Sequence, residues 1–575
     1  MTARETAPGS PYAAPSDLIQ AATSWRDDDP DEVTRAELSA VLQAAVSGDA
    51  AAGADLADRF VGMLEFGTAG LRGAMGAGPN RMNRCVVIRA AAGLTAYLQE
   101  RSPEPLVVIG FDARHNSEVF AQDTAAVVVG AGGRAMVLPR PLPTPVLAFA
   151  VRHLGADAAV MVTASHNPSQ DNGYKVYLGD GSQIVPPADA QIAAQIAEVG
   201  SVAQVPRADS GWTTLDDDVL EGYLDSAAAV LAPDTPRELS VVHTALHGVG
   251  SDVVVAAFAR AGFAVPMLVT SQSEPDPEFP TVKFPNPEEP GAIDAALEMA
   301  GRVHPDLVLA NDPDADRCAV AVPDATRASD DNLAGWRMLH GDEVGALLGS
   351  HILSRGVHQD DVFASSIVSS RLLAAMAAEA GIRHEETLTG FKWISRVPGL
   401  RYGYEEALGY CVDPLRVRDK DGITAALMIA EMAAVLRSAD RCLLDVLDDL
   451  AVEHGVHATD SFAIRVEDLS LIGTLMSQLR RRPPKVVGGA AVARVDDLAA
   501  GSRGLAPTDA LRYLLGDDSR VIVRPSGTEP KLKVYLEAVV AVEGSSGLVV
   551  ARELAADRLA RMTASMRTLT IATAT

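Results

Sequence analysis

The stretch AAVMVTASHNP, Ala158 to Pro168, decides how this chain is read. Its first half, Ala158 to Thr163, is an unbroken apolar run and reads as a buried strand. Its second half is a polar turn with Ser165 beside His166. A serine hydroxyl is a weak nucleophile until something takes its proton, and a rigid strand ending in a turn would hold such a side chain at a defined place. Ser-His-Asn-Pro is also good turn chemistry in its own right, so the rest of the chain must decide between the two readings.

Working outward, the strand belongs to an alternating series. Val107 to Gly110 and Ala135 to Leu138 read as strands, with a helix over Glu118 to Val129 between them. Such alternation predicts βαβ units and a mainly parallel sheet. The pattern restarts with a strand at Leu239 to His243, the turn HGVG and a helix from about Val253. A strand at Leu307 to Ala310 and a helix over Gly341 to Leu353 follow. From about Val456 the character changes: runs such as Lys531 to Val539 alternate polar and apolar residues, which predicts a smaller antiparallel α+β domain. At the other end, residues 1 to about 20 read as disordered, and Asp27 to Leu64 as helical. The predicted division is an N-terminal extension (1–57) and four domains, 58–235, 236–328, 329–453 and 454–575.

Composition narrows the function. A chain of 575 residues is too long for one core and should split into roughly three to five domains. The net charge of −27 argues against nucleic-acid binding, which needs a basic footprint. An anionic substrate would have to be drawn in by local cations against the overall field, which gives weight to lysines and arginines inside polar motifs. No apolar run approaches the ~18 residues that span a membrane. The four cysteines, Cys85, Cys318, Cys411 and Cys442, lack metal-ligand spacing and read as free thiols. With an N-terminus that lacks a basic segment followed by an apolar one, these features predict a cytoplasmic protein without a membrane or nucleic-acid partner.

Six further motifs carry chemistry. DPDADR, Asp312 to Arg317, follows the strand Leu307 to Ala310, and its alternating carboxylates Asp312, Asp314 and Asp316 can converge on a cation. An EF-hand fails, because Arg317 stands where that loop needs Gly and Pro323 where it needs Glu. Mg²⁺ paired with a phosphate suits such a loop better. RPSGTEP, Arg524 to Pro530, offers a guanidinium that can grip phosphate bidentately, with Ser526, Thr528 and the backbone around Gly527 as further donors. FGTAGLRG, Phe66 to Gly73, carries Arg72 among glycines, and Lys175 in NGYK lies ten residues after Ser165. GFKW and YEEALGY supply Lys392, Glu405 and Glu406, which could contact a phosphate and sugar hydroxyls or equally be solvated loop charges.

TASHNP, the three-aspartate loop and RPSGTEP, in this order, closely resemble the α-D-phosphohexomutase superfamily of phosphoglucomutases and phosphomannomutases. The resemblance runs from about Trp25 to about residue 545. FGTAGLRG, MGAGPNRMN, HGVG, PNPEEP, GFKW and DKDG look most like the branch that includes phosphopentomutases. The resemblance implies four domains around a central cleft: three related α/β domains with mixed sheets and a smaller α+β domain. It further implies that Ser165 is the phosphoserine, that Asp312, Asp314 and Asp316 hold one Mg²⁺ with an oxygen on Ser165 as a further ligand, and that His166 and Lys175 assist proton transfer. Arg72 and Arg317 would support charge at the transferring phosphate, Glu405 would bind sugar hydroxyls and Lys392 would help hold the substrate. Arg524, Ser526, Gly527 and Thr528 would anchor the non-reacting phosphate. A sugar bisphosphate would be intermediate and activator, and the partners would be small sugar phosphates.

One position departs from the pattern: many hexose-specific members have a serine where this chain has Ala407. A missing hydroxyl contact weakens hexose discrimination. The expected activity is therefore a mutase for glucose or mannose 1- and 6-phosphates, with ribose or deoxyribose phosphates as the alternative. A phosphatase and a catalytically dead sugar-phosphate sensor are the rivals from other classes.

Overall fold

The computed structural model describes residues 15–67, 70–325, 335–465, 470–501, 504–526 and 531–574. Four sheets follow one another along the chain. In the first, the order is Leu71–Ala74, Asp171–Leu178, Ala158–Val162, Leu106–Phe111, Arg134–Val137, Thr213–Thr214. The strands from Ala158–Val162 to Thr213–Thr214 are mutually parallel, and the two at the other edge pair antiparallel. The second sheet repeats the plan: Val241–Thr244 lies parallel to both Met267–Leu268 and Leu307–Ala310, while Ala319–Pro323 and Trp336–Met338 close one edge antiparallel. In the third, Arg383–Thr387, Val362–Ser366 and Leu400–Glu405 are parallel, with Gly409–Cys411 antiparallel at the edge.

The mainly parallel expectation thus holds for the centre of each sheet and is corrected at one edge. There a strand returns by a short connection, as Asp171–Leu178 does after the Ser165 turn, and a short return can only run antiparallel. The fourth sheet is antiparallel throughout, in the order Val456–Arg465, Lys531–Val540, Arg520–Pro525, Leu511–Leu515, Ala490–Asp497, Val486–Val487.

One apolar core runs through the first three units, from Leu147 and Phe258 to Leu347 and Ile429. The fourth sheet has a core of its own around Val521, Val534 and Leu536. Two expectations at the N-terminus need correction. Residues 1–14 lie outside the described residues, but Ser16–Asp28 is helical, so order begins earlier than the composition implied. The helical stretch is also interrupted: residues 27–64 hold the end of Ser16–Asp28 and then two separate helices, Glu32–Val46 and Ala50–Arg59. Pro30 cannot continue a helix, and Asp31 and Asp49 each accept from backbone N–H groups of the turn that follows, starting a new helix. No helix among the described residues is long and apolar enough to cross a membrane.

Candidate active site

The apolar strand Ala158–Val162 is fully buried and delivers Ser165 to the end of the first sheet. The turn is held in an uncommon conformation, with Ser165 at φ 52°, and its N–H donates to Thr163 Oγ1 at 2.8 Å. Strain of this kind persists only where surroundings impose it. Here Arg114 imposes it: its guanidinium donates to the carbonyls of Ser165, Asn167, Pro168 and Asp171. Arg114 is itself buried beside Asp112, with Nε 3.4 Å from Oδ2.

The aspartate loop from the second sheet meets this turn. Ser165 Oγ donates to Asp312 Oδ2 at 2.6 Å, and His166 Nδ1 lies 3.1 Å from the same hydroxyl. Asp312, Asp314 and Asp316 are all buried, with one carboxylate oxygen of each within 4.8 Å of the others. Lys175, from the antiparallel return strand, places Nζ 2.6 Å from Asp314 Oδ2 and 2.9 Å from Asp316 Oδ2. Thr144 Oγ1 donates to Asp314 Oδ2 at 2.7 Å. Arg317 folds back over the loop, 3.8 Å from Asp312 and 3.9 Å from Asp316. Arg72 reaches the turn through Asn167 Oδ1 at 3.3 Å.

This donor set fits a hard divalent cation. Asp314 Oδ1 and Asp316 Oδ1 are buried without a hydrogen-bond partner among the described residues, a costly state for carboxylate oxygens unless a cation takes them up. The three carboxylates of the loop do not ionise alike. Burial, reinforced by Asp314 and Asp316, pushes Asp312 well above the usual carboxylate range. Burial pushes Asp316 the same way, but Lys175, Lys420 and Arg317 outweigh it and hold the group below its ordinary value. Lys175 stays charged because its two aspartates overcome the cost of burial. Burial, with Arg317 and Arg72 nearby, holds His166 neutral, well below the ordinary histidine range.

The third sheet brings the edge of the site. Glu405 ends the strand Leu400–Glu405 and is buried, which raises its carboxyl above the ordinary range. Gly409 faces it, and the close approach is demanding: a Cβ there would lie 2.4 Å from Lys420 Cδ and 2.9 Å from Glu405 Cγ. The neighbouring Glu406 is tied down by Ser366 and Ser369, which donate to Oε2 at 3.0 and 3.1 Å. Of the two glutamates considered from sequence, Glu405 is therefore the one whose carboxylate is not taken by hydroxyls among the described residues. Lys392 and Arg524 lie close enough for their charges to act on each other, and burial lowers the Lys392 ammonium to about 8. Ser526 follows Arg524 at the end of its strand, its N–H donating to Lys531 O at 2.8 Å. Gly527 and Thr528 lie outside the described residues.

Two side chains escaped the sequence reading. Lys420, inside DKDG, sits 3.2 Å from Asp316 Oδ2, so two lysines converge on one carboxylate. A lysine between two aspartates in a loop was the available signal. Arg114 left none, since an arginine in DARHNS looks like any loop cation until its four carbonyl contacts are seen.

Comparison with known proteins gives four matches in order along the chain. Residues 63–202, 221–325 and 340–451 match the phosphoglucomutase/phosphomannomutase alpha/beta/alpha domains I, II and III, and residues 481–545 match the C-terminal domain. The chain is 47% identical to a Haemophilus influenzae protein named "Probable phosphomannomutase", over 80% of this chain and 93% of that one. It is 35% identical to human phosphopentomutase over 92% of each. Its fold superposes on a phosphoglucomutase/phosphomannomutase family protein from Burkholderia thailandensis with a TM-score of 0.66 at 19% identity, covering 88% of this chain and 97% of that structure.

Proposed function

The chain belongs to the phosphoglucomutase/phosphomannomutase family and is a phosphosugar mutase, and we propose that it interconverts the 1- and 6-phosphates of a hexose, glucose or mannose, with Ser165 as the phosphoryl carrier. The observation that carries this reading is the 2.6 Å contact between Ser165 Oγ and Asp312 inside a buried carboxylate loop that also holds Lys175. A hydrolase triad would need a histidine oriented by a carboxylate. Here the serine itself faces the carboxylates, as a phosphoryl carrier beside a cation would.

Phosphoryl transfer asks for positioning and electrostatic stabilisation rather than covalent work by the protein. In the forward half-reaction the bond from phosphorus to Ser165 Oγ breaks as one forms to a sugar hydroxyl, and the hydroxyl proton leaves to a base. His166, held neutral with Nδ1 3.1 Å from Ser165 Oγ, can take that proton, and the departing Ser165 oxygen receives one from the charged Lys175 or back from His166. Arg317, whose buried Nε has no hydrogen-bond partner among the described residues, and Arg72 would stabilise charge on the transferring group. The bisphosphate so formed must turn end for end and give its other phosphoryl to Ser165. Arg524, Ser526, Gly527, Thr528 and Lys392 would hold the non-reacting phosphate, and Glu405 the sugar hydroxyls. A cation, which we take to be Mg²⁺, would be held by Asp312, Asp314, Asp316 and an oxygen on phosphorylated Ser165. When bound it supplies charge neutralisation at the transferring phosphoryl. A sugar bisphosphate would prime the enzyme as activator. The four free cysteines suit a cytoplasmic setting.

Ala407 and the likeness to human phosphopentomutase favour a second substrate class, pentose phosphates, as the competing outcome. The deciding experiment is a coupled assay with glucose, mannose and ribose 1-phosphates, with a trace of the matching bisphosphate and Ser165→Ala as control. Hexose turnover lost in the variant is the expected result. Full activity of Ser165→Ala, or release of free phosphate in place of isomerisation, would sink the reading.

A further inference from the structure

The phosphate anchor and the sugar loop sit on different sheets, yet one turn is bonded to both. The turn Ser366–Arg371 follows the strand Val362–Ser366 of the third sheet. On one side it holds the sugar loop: Ser366 Oγ and Ser369 Oγ donate to Glu406 Oε2, and Glu406 N–H donates back to Ser369 Oγ at 3.2 Å. Ser370 N–H and Tyr404 Oη share Asp342 Oδ1 at 2.7 and 2.9 Å, which fixes the residue before Glu405.

On its other side the turn is gripped by a single cross-strand pair of the fourth sheet. Arg520 and Glu537 stand opposite each other in register, are 3% and 1% exposed, and form an ion pair at 3.0 Å. Arg520 donates to Ile367 O at 3.0 Å and Ser369 O at 2.6 Å. Glu537 accepts from Arg371 N–H and Nε, both at 2.7 Å, and from Ser370 Oγ at 3.1 Å. Ile367 and Val368 pack into an apolar cluster with Ile522 and Tyr535, and Trp393, next to Lys392, packs against it. Arg524, the proposed phosphate ligand, lies on the same strand as Arg520 and four residues on, hence on the same face.

From this arrangement we propose that Arg520, Glu537, Ser366 and Ser369 are positioning residues that set the separation between the phosphate anchor and Glu405, and through it the discrimination between sugars of different length. The inference rests on the mutase reading above. Both sugars carry the phosphate on one exocyclic methylene, but the six-membered ring of a hexose has one more carbon than the five-membered ring of a pentose, which puts its C3 hydroxyl one carbon–carbon bond, ~1.5 Å, further from the phosphate-bearing carbon. A rigid spacing between anchor and hydroxyl acceptor can therefore tell the two apart, by the 10- to 200-fold typical of a one-methylene difference. A loosened spacing cannot. Buried, bidentate, charge-assisted contacts are the kind that hold such a spacing.

The test compares kcat/KM for glucose 1-phosphate and ribose 1-phosphate in the wild type and in Ser366→Ala/Ser369→Ala, with thermal melting as the check on folding. The expected result is a hexose-to-pentose ratio lowered by roughly 10-fold, arising in KM of the preferred sugar rather than in kcat. Arg520→Lys, which keeps the charge but loses the paired carbonyl contacts, carries the same comparison should the double variant melt early. A folded variant in which both sugars lose kcat/KM equally, or neither loses any, overturns the inference while leaving the mutase reading intact. A wild type inactive on every sugar monophosphate overturns the mutase reading itself.

Discussion

Ser165 and Asp312 stand 147 residues apart in the chain, and Ser165 Oγ donates to Asp312 Oδ2 at 2.6 Å. The contact joins a turn at the end of the first sheet to a loop at the end of the second. The contact brings the serine beside the carboxylate loop, in which Asp314 Oδ1 and Asp316 Oδ1 are buried with no hydrogen-bond partner among the described residues.

Asp312→Asn should therefore lower kcat by roughly 10²-fold or more, since it removes a preorganised charge at the reacting centre. Calorimetric titration with Mg²⁺ should show weakened binding in parallel. Chelator-treated wild type should lose activity and regain it on adding Mg²⁺. Undiminished activity after exhaustive chelation would contradict the cation reading of the loop.

Gly248→Ala should weaken metal binding without touching any ligand. A Cβ at Gly248 would lie 2.2 Å from Pro313 Cα, and Val249 N–H donates to Pro313 O at 2.8 Å, so the HGVG turn shapes the backbone between Asp312 and Asp314. The preceding Leu246 and His247, at φ 48° and 60°, bring the turn to that approach. Relief of the clash must move the aspartate loop, at a cost of about 1–3 kcal/mol. Metal affinity should fall about tenfold with the sugar-phosphate KM nearly unchanged, and an unaltered metal titration would refute this.

Lys392 gives a pH dependence. Burial, assisted by Arg524, lowers its ammonium from 10.5 to about 8. If that charge holds a substrate phosphate, kcat/KM falls as pH rises through about 8, because the neutral amine no longer attracts the dianion. Lys392→Arg keeps its charge and should carry the plateau above pH 9. An alkaline limb that does not move in the variant would remove Lys392 from substrate binding.

Glu431 gives the opposite sign, on stability. Burial alone would raise its carboxyl. Bonds from His351, Thr235 and the Ala232 N–H, with Arg355 alongside, hold it instead at about 2, below the ordinary 4.5. A depressed carboxyl stabilises the fold above pH 4.5, and that contribution is lost as pH falls from there toward 2. Glu431→Gln should lower the melting temperature at pH 7, since breaking a buried pair costs about 3–5 kcal/mol, and should flatten the acid limb of a Tm–pH curve. A variant with the same acid limb as wild type would show that another carboxylate governs it.

Much of this was legible in the chain. The apolar run before Ser165 became the strand Ala158–Val162, and Leu307 to Ala310 became the strand that launches the aspartate loop. Strands and caps answer to neighbours in sequence, so their residues carry the signal. The misreadings came where neighbours were not decisive. Ser16 to Gln20 follow a small, polar, Pro-containing start that reads as disordered, yet they begin a helix whose Ala22 packs against Leu38 and Leu42. Residue type alone did not separate Glu405 from Glu406, and only the family resemblance chose Glu405; in the structure Ser366 and Ser369 occupy the carboxylate of Glu406.

What the sequence by itself determined is the inventory: three alternating carboxylates at a strand end, a serine in a turn, an arginine of the kind that can grip phosphate and a strongly acidic chain in which an anionic ligand would have to be attracted locally. Only the tertiary structure decided which of these meet. Lys420 joins Lys175 on Asp316, Arg114 fixes the Ser165 turn, and Arg520 with Glu537 ties the phosphate strand to the sugar loop. Those pairings depend on how sheets pack and which charges packing strips of water. Desolvation is a property of the assembled interior, and no local run of residues encodes it.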